Sequence, residues 1–204
     1  YKAYKMHGWK EGNVEEEKEM LKAVGNRVAG KIKIMYDSAC HLSTLADALE
    51  IGRICDEYGF YWYEDPYKDG GVSIHGNKTL SQNLSTPILI GEHIRNFETS
   101  VDLITNGASF FSRADPDYDG GITGSYKLVV ASEGLGIDCE IHSCGPAMRQ
   151  LMGASRNSNF YEVNLLHPKC SNPWSLPIYS NYYSDEINCV DKNGNVEVPN
   201  FPGL

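Results

Sequence analysis

Short apolar runs and amphipathic stretches alternate along most of the chain. KIKIMYD (31–37), FYWYED (60–65) and PILIGEHI (87–94) are dense in apolar residues, as strands buried on both faces are. Each stops on acid: Asp37, then Glu64 and Asp65, then Glu92. The three endings at 37, 64 and 92 are separated by 27 and 28 residues, about one strand–helix unit. YKAYKMH (1–7), ASFFSRAD (108–115), IDCEIH (137–142) and NFYEV (159–163) read as four further strands.

Between them lie helical patterns, beginning with NVEEEKEMLKAVGNRV (13–28) and LSTLADALEIGRICDEYG (42–59), the latter closed by Gly59. SIHGNKTLSQNL (73–84) is a weaker helix, and Pro87 marks the next strand's start. NFETSVDLITNG (96–107) has Asn96 as N-cap and Gly107 as stop signal. GITGSYKLVVASEGLG (121–136) and CGPAMRQLMGASRN (144–157) complete the set.

Seven strands separated by helices predict an α/β fold with a parallel sheet. Charged residues gather at the C-terminal ends of many strands, which favours a TIM-like (β/α) barrel over an open sheet with one switch point. No Gly-rich phosphate turn is present. We therefore expect residues 1–163 to form the barrel portion. Residues 164–204, rich in Pro, Asn and Tyr, read as an extended tail with a hairpin at KNGN (192–195).

Composition narrows the classes. With 204 residues, 41% of them hydrophobic and 22% charged, the chain is long enough for one sizeable core. A net charge of −9 argues against nucleic acid as a partner. No stretch reaches the ~18 apolar residues of a membrane span. Six cysteines without a CxxC pair suit reduced thiols in the cytoplasm rather than a zinc knuckle.

The strand endings hold the candidate chemistry. On a shared barrel rim, Asp37, Glu64 and Glu92 would repel one another unless a cation sat between them, and hard oxygen donors suit Mg²⁺. Each alone is more often a solvated loop carboxylate; three in register are not. Lys5 and His7 alternate onto one strand face. Alone, that pair is a weak signal. Asp115 and His142 end neighbouring strands within reach of a hydrogen bond, with Asp117 and Asp119 as competitors for the aspartate's part. Glu162 ends the last strand. His93 follows Glu92 and reads as a support for it, while Arg95 either meets a substrate carboxylate or pairs with a nearby acid. Trp9, after the Lys-x-His pair, reads as either a pocket wall or rim packing, His41, His75 and His167 have no assigned partner, and Tyr61, Trp62 and Tyr63 read as core and barrel wall.

Together these residues resemble the mandelate racemase branch of the enolase superfamily, over Tyr1 to about Val163. Lys5-x-His7 matches its Lys-x-Lys or Lys-x-His pair, with His7 departing from the commoner lysine. Asp37, Glu64 and Glu92 match its three metal ligands, YEDP its Glu-Glu/Asp-Pro signature, and Asp115 and His142 its dyad. Glu162 matches its rim glutamate. The family's first barrel strand and N-terminal capping domain have no counterpart here, and the tail resembles the part that returns to that domain. The resemblance implies an incomplete enolase C-terminal barrel, second to eighth strands. It further implies a Mg²⁺-dependent lyase that takes the α-proton of a sugar acid, stabilises the enolate and expels the 3-hydroxyl. Racemisation, epimerisation or cycloisomerisation through the same first step is the alternative, and a non-catalytic barrel is a third reading. A homo-oligomeric assembly is also expected.

Overall fold

The computed structural model describes residues 1–8, 13–68, 70, 72–163, 165, 169 and 183–200. Six parallel strands run in chain order across one sheet: β1 (Ala3–His7), β2 (Lys33–Asp37), β3 (Tyr63–Glu64), β4 (Ile88–Ile90), β5 (Phe111–Ala114) and β6 (Asp138–Ile141). Helices follow each: α1 (Val14–Val28), α2 (Leu45–Tyr58), α3 (Ile74–Asn83), α4 (Phe97–Thr105), α5 (Gly121–Gly134) and α6 (Pro146–Gly153). The fold is an incomplete TIM-like barrel, curled so that the end of β1 faces the segment after β6. No described helix is long and apolar enough to cross a membrane.

Local chemistry explains the helix limits. Asn13, Thr44, Ser73 and Asn96 cap four helices with side-chain oxygens, and Thr44 with Asp47 forms a reciprocal capping box. Gly59 closes α2 in the left-handed conformation, which glycine adopts without a Cβ clash.

Two apolar layers flank the sheet. Outside, Leu21, Ile34, Tyr36, Ile51, Tyr63, Leu80 and Ile88 pack the first strands against α1, α2 and α3. Full burial of a side chain such as Leu21 contributes roughly 1.5–3 kcal/mol. The buried Glu17 of α1 accepts the Tyr36 hydroxyl at 2.8 Å, so the helix–strand join carries a satisfied polar contact. Inside the curl, Met35, Trp62, Leu89 and Phe111 meet Tyr61 and Phe160. Trp62 and Tyr61 are therefore wall residues, as expected.

The expected seventh strand at 159–163 is not formed. This segment lies beside β6, held by one backbone bond at its start and by contacts to the Glu140 side chain rather than by a ladder. Asn157 O accepts from Cys139 N at 2.6 Å, and the buried Glu140 accepts from the amides of Asn159 and Phe160. Asn159 also donates from its side chain to Glu140 at 2.6 Å and Asp138 at 2.9 Å. Polar side chains that satisfy the backbone locally compete with a regular ladder.

In the tail, residues 183–200 lie against α6. Arg149 donates to Asp185 Oδ1 at 2.5 Å and Ser184 O at 2.7 Å, and Gln150 donates to Pro199 O. The KNGN hairpin is present as a tight turn: Val190 bridges Val196, and Asp191 Oδ1 accepts from the Asn193 and Asn195 amides. Trp9 and His167 lie outside the described residues.

Candidate active site

Parallel register brings the acidic strand endings together. His7 pairs with Asp37, and Asp37 with Glu64, so β1, β2 and β3 finish on one rim. Glu92 reaches it from two residues beyond β4, past Gly91. At Gly91, φ is 149°, and a Cβ would stand 2.8 Å from both the Cβ and the carbonyl oxygen of Arg113. Only glycine lets this turn hug β5 and aim Glu92 inward. Carboxylate oxygens of Asp37, Glu64 and Glu92 all lie within 4.8 Å of one another.

Two cations face this cluster. Lys5 Nζ lies 2.7 Å from Glu162 Oε1, 3.1 Å from Glu64 Oε2 and 3.6 Å from Asp37 Oδ2. Arg113, only 1% exposed, places Nη2 2.5 Å from Glu162 Oε1 and 2.7 Å from Glu64 Oε1, and Nε 3.9 Å from Glu92 Oε2. Burial and Arg113 both oppose a charge on Lys5, yet Glu162, Glu64 and Asp37 outweigh them and hold it protonated. Burial pushes the Glu64 carboxyl up despite Arg113 and Lys5. Burial also opposes ionisation of Glu162, but Arg113 and Lys5 prevail and keep it well below the usual carboxylate range.

Four carboxylates against two fixed cations leave a formal excess of two negative charges. Glu64 Oε1 and Glu92 Oε2 are buried without a hydrogen bond and meet their neighbours only as ion pairs. A hard divalent cation fits this charge and these donors, with Asp37, Glu64 and Glu92 as its ligands.

Across the mouth, His142 Nδ1 lies 2.5 Å from Asp115 Oδ2, and Nε2 lies 3.2 Å from Glu92 Oε2. The competitors serve the loop instead: Asp117 N donates to Asp115 Oδ1, and Asp119 Oδ2 accepts from Asp115 N. With Nδ1 committed to the aspartate, Nε2 is the nitrogen that faces the mouth, beside Glu92. His7 reaches the rim more loosely, with Nε2 4.0 Å from Asp37 and the side chain 66% exposed.

The chain belongs to the enolase C-terminal domain-like family. The family's model matches residues 1–204. Among curated proteins, the chain is 26% identical to arabinonate dehydratase from Saccharolobus solfataricus, over 94% of this chain and 49% of the relative. It is 25% identical to N-succinylamino acid racemase from an Amycolatopsis species, over 91% and 48%. Among solved structures, D-glucarate dehydratase from Agrobacterium tumefaciens complexed with magnesium superposes with a TM-score of 0.77 at 29% identity, covering 84% of this chain and 45% of that one. The chain thus spans about half the length of these relatives.

Within this family member, all eight residues expected at the site gather at one mouth, His7 at its edge. Sequence reasoning missed Arg113. Its signal was there: an arginine on the same face as Phe111 inside a buried strand needs carboxylate partners. The Arg95 guanidinium donates to the Glu92 carbonyl and stacks 3.9 Å from the Tyr118 ring. His93 contacts Asp65 and Glu92, at 3.3 and 3.6 Å.

Proposed function

We propose that this chain carries the catalytic barrel of a Mg²⁺-dependent sugar-acid dehydratase, acting on an aldonate or aldarate. The observation that carries this reading is the opposition of two groups across the three-carboxylate cluster. Lys5 stands on the Asp37–Glu64 side, and the His142–Asp115 dyad stands beside Glu92. Mg²⁺ held by Asp37, Glu64 and Glu92 would supply positive charge to the substrate carboxylate and so acidify the α-proton. Lys5, kept protonated, binds that carboxylate. His142 Nε2 handles protons, removing one from the α-carbon or delivering one to the departing 3-hydroxyl. Asp115 fixes its tautomer. Glu162 and Arg113 hold Lys5 and Glu64 in place. His7, more exposed, contacts the substrate's outer end.

The dehydratases among the relatives support the lyase reading. Racemisation of a carboxylate is the second reading, favoured by the same two-sided arrangement and by the likeness to a racemase. A sugar-acid screen in the presence of Mg²⁺, read by 2-keto-3-deoxy product, tests the first. His142→Asn should abolish keto product, and α-deuterium exchange in that variant and in Lys5→Ala identifies the base. Parent-rate keto product in both variants would remove His142 and Lys5 from the mechanism, and no keto product from any sugar acid would end the dehydratase assignment. Deuterium entering recovered substrate without keto product would favour racemisation.

A further inference from the structure

The loops after β2, β3 and β4 each carry a second chemistry-bearing residue beside the first. Cys40 follows Asp37 by three positions, Asp65 follows Glu64 directly, and His93 follows Glu92 directly. These second members converge on a point of their own. Cys40 Sγ, a carboxylate oxygen of Asp65 and an imidazole nitrogen of His93 all lie within 4.8 Å of one another.

Asp65 is 1% exposed, and neither of its carboxylate oxygens accepts a hydrogen bond. Its near neighbour is His93 Nε2, 3.3 Å from Oδ2, and that nitrogen too lacks a hydrogen bond of proper geometry. A buried carboxylate left without hydrogen bonds is costly unless paired or bound to a metal. The backbone that aims these groups is itself unusual, with φ of 56° at Cys40 and 40° at Asp65.

The donor set differs in kind from its neighbour. Asp37, Glu64 and Glu92 offer only hard oxygen. A thiolate, an imidazole and one carboxylate suit a softer cation in tetrahedral geometry. We propose that Cys40, Asp65 and His93 form a second metal centre, for a thiophilic divalent cation of the Zn²⁺ class, with the fourth position left to water. Cys40 and the His93 side chain are both partly exposed, which sets that position on the solvent side of the mouth. On binding, the Cys40 thiol releases its proton to water and its sulfur lone pair forms the bond to the metal. His93 binds as neutral imidazole and Asp65 as carboxylate. Thiolate, carboxylate and dication then sum to zero charge.

The test uses purified protein stripped by a chelator, reloaded with excess Mg²⁺ and titrated with Zn²⁺ or Co²⁺. One Zn²⁺ per chain should be retained against the Mg²⁺, and Co²⁺ should show thiolate-to-metal charge-transfer absorption. Zn²⁺ should also shield Cys40 from alkylation in the unmutated protein, read by peptide mass spectrometry. Losing an outer partner of a ligand costs ~10–100-fold in affinity, so Cys40→Ser should cost at least about a hundredfold and erase the cobalt band. Asp37→Asn should keep both. No retained Zn²⁺, a cobalt spectrum without the thiolate band, or unshielded Cys40 would overturn the proposal, even if Cys40→Ser failed to fold. So would Zn²⁺ retention that is lost with Asp37→Asn but unchanged in Cys40→Ser. In those cases Asp65 and His93 form an ion pair only.

Discussion

Asp115 is buried, and both of its carboxylate oxygens are committed, Oδ2 to His142 and Oδ1 to the Asp117 amide. In Asp115→Asn, an amide can keep much of this packing but cannot hold the imidazole tautomer or balance its charge. Turnover should fall roughly 10²–10⁴-fold, the usual range for general acid–base catalysis, with an unchanged circular dichroism spectrum. Parent-like turnover would remove the dyad from the mechanism. Glu162 makes a pH prediction. Arg113 and Lys5 overcome burial and depress its folded pKa below the ordinary 4.5. Its stabilisation is therefore complete above that value and is lost as pH falls through the folded one. Glu162→Gln should be less stable than the parent at neutral pH, and the gap in urea midpoints should narrow toward about pH 3. A pH-independent gap would show that its ion pairs contribute nothing.

At the scale of elements, the β4-to-α4 turn decides whether Glu92 joins the cluster. Gly91→Ala asks an L-residue to adopt φ of 149° and pushes a methyl against Arg113. It should cost on the order of 1–3 kcal/mol in stability. It should also weaken Mg²⁺ binding, because Glu92 is the next residue. Urea melts and Mg²⁺ calorimetry check this, and unchanged Mg²⁺ affinity would refute the link between turn and ligand. The elements were largely legible in the sequence, since dense apolar runs and Asn96 or Thr44 caps act locally. The 159–163 segment was not. NFYEV has strand-like residues, but the Glu140 carboxylate takes the amides of Asn159 and Phe160 and the Asn159 side chain as well, a competition only visible once they meet.

For the whole molecule, the excess of negative charge at the barrel mouth makes stability metal-linked. A ligand that binds only the folded state stabilises by about 2.7 kcal/mol at a hundredfold excess over its dissociation constant. Mg²⁺ should therefore raise Tm, and Asp37→Asn should lose most of that rise; an equal rise in both would place the ion elsewhere. The sequence by itself determined the strand–helix alternation, the parallel barrel class and the acids at 37, 64 and 92, because period, caps and strand ends are local properties. It also pointed to Lys5, Asp115 and His142 through order along the rim. Only the tertiary structure decided which acids share charge with Lys5, that Arg113 lies buried among them, and that Asp115 rather than Asp117 or Asp119 holds His142. It alone brought Cys40, Asp65 and His93 together. These contacts join residues far apart in sequence, and curling a parallel sheet sets their distances in a way no local pattern encodes.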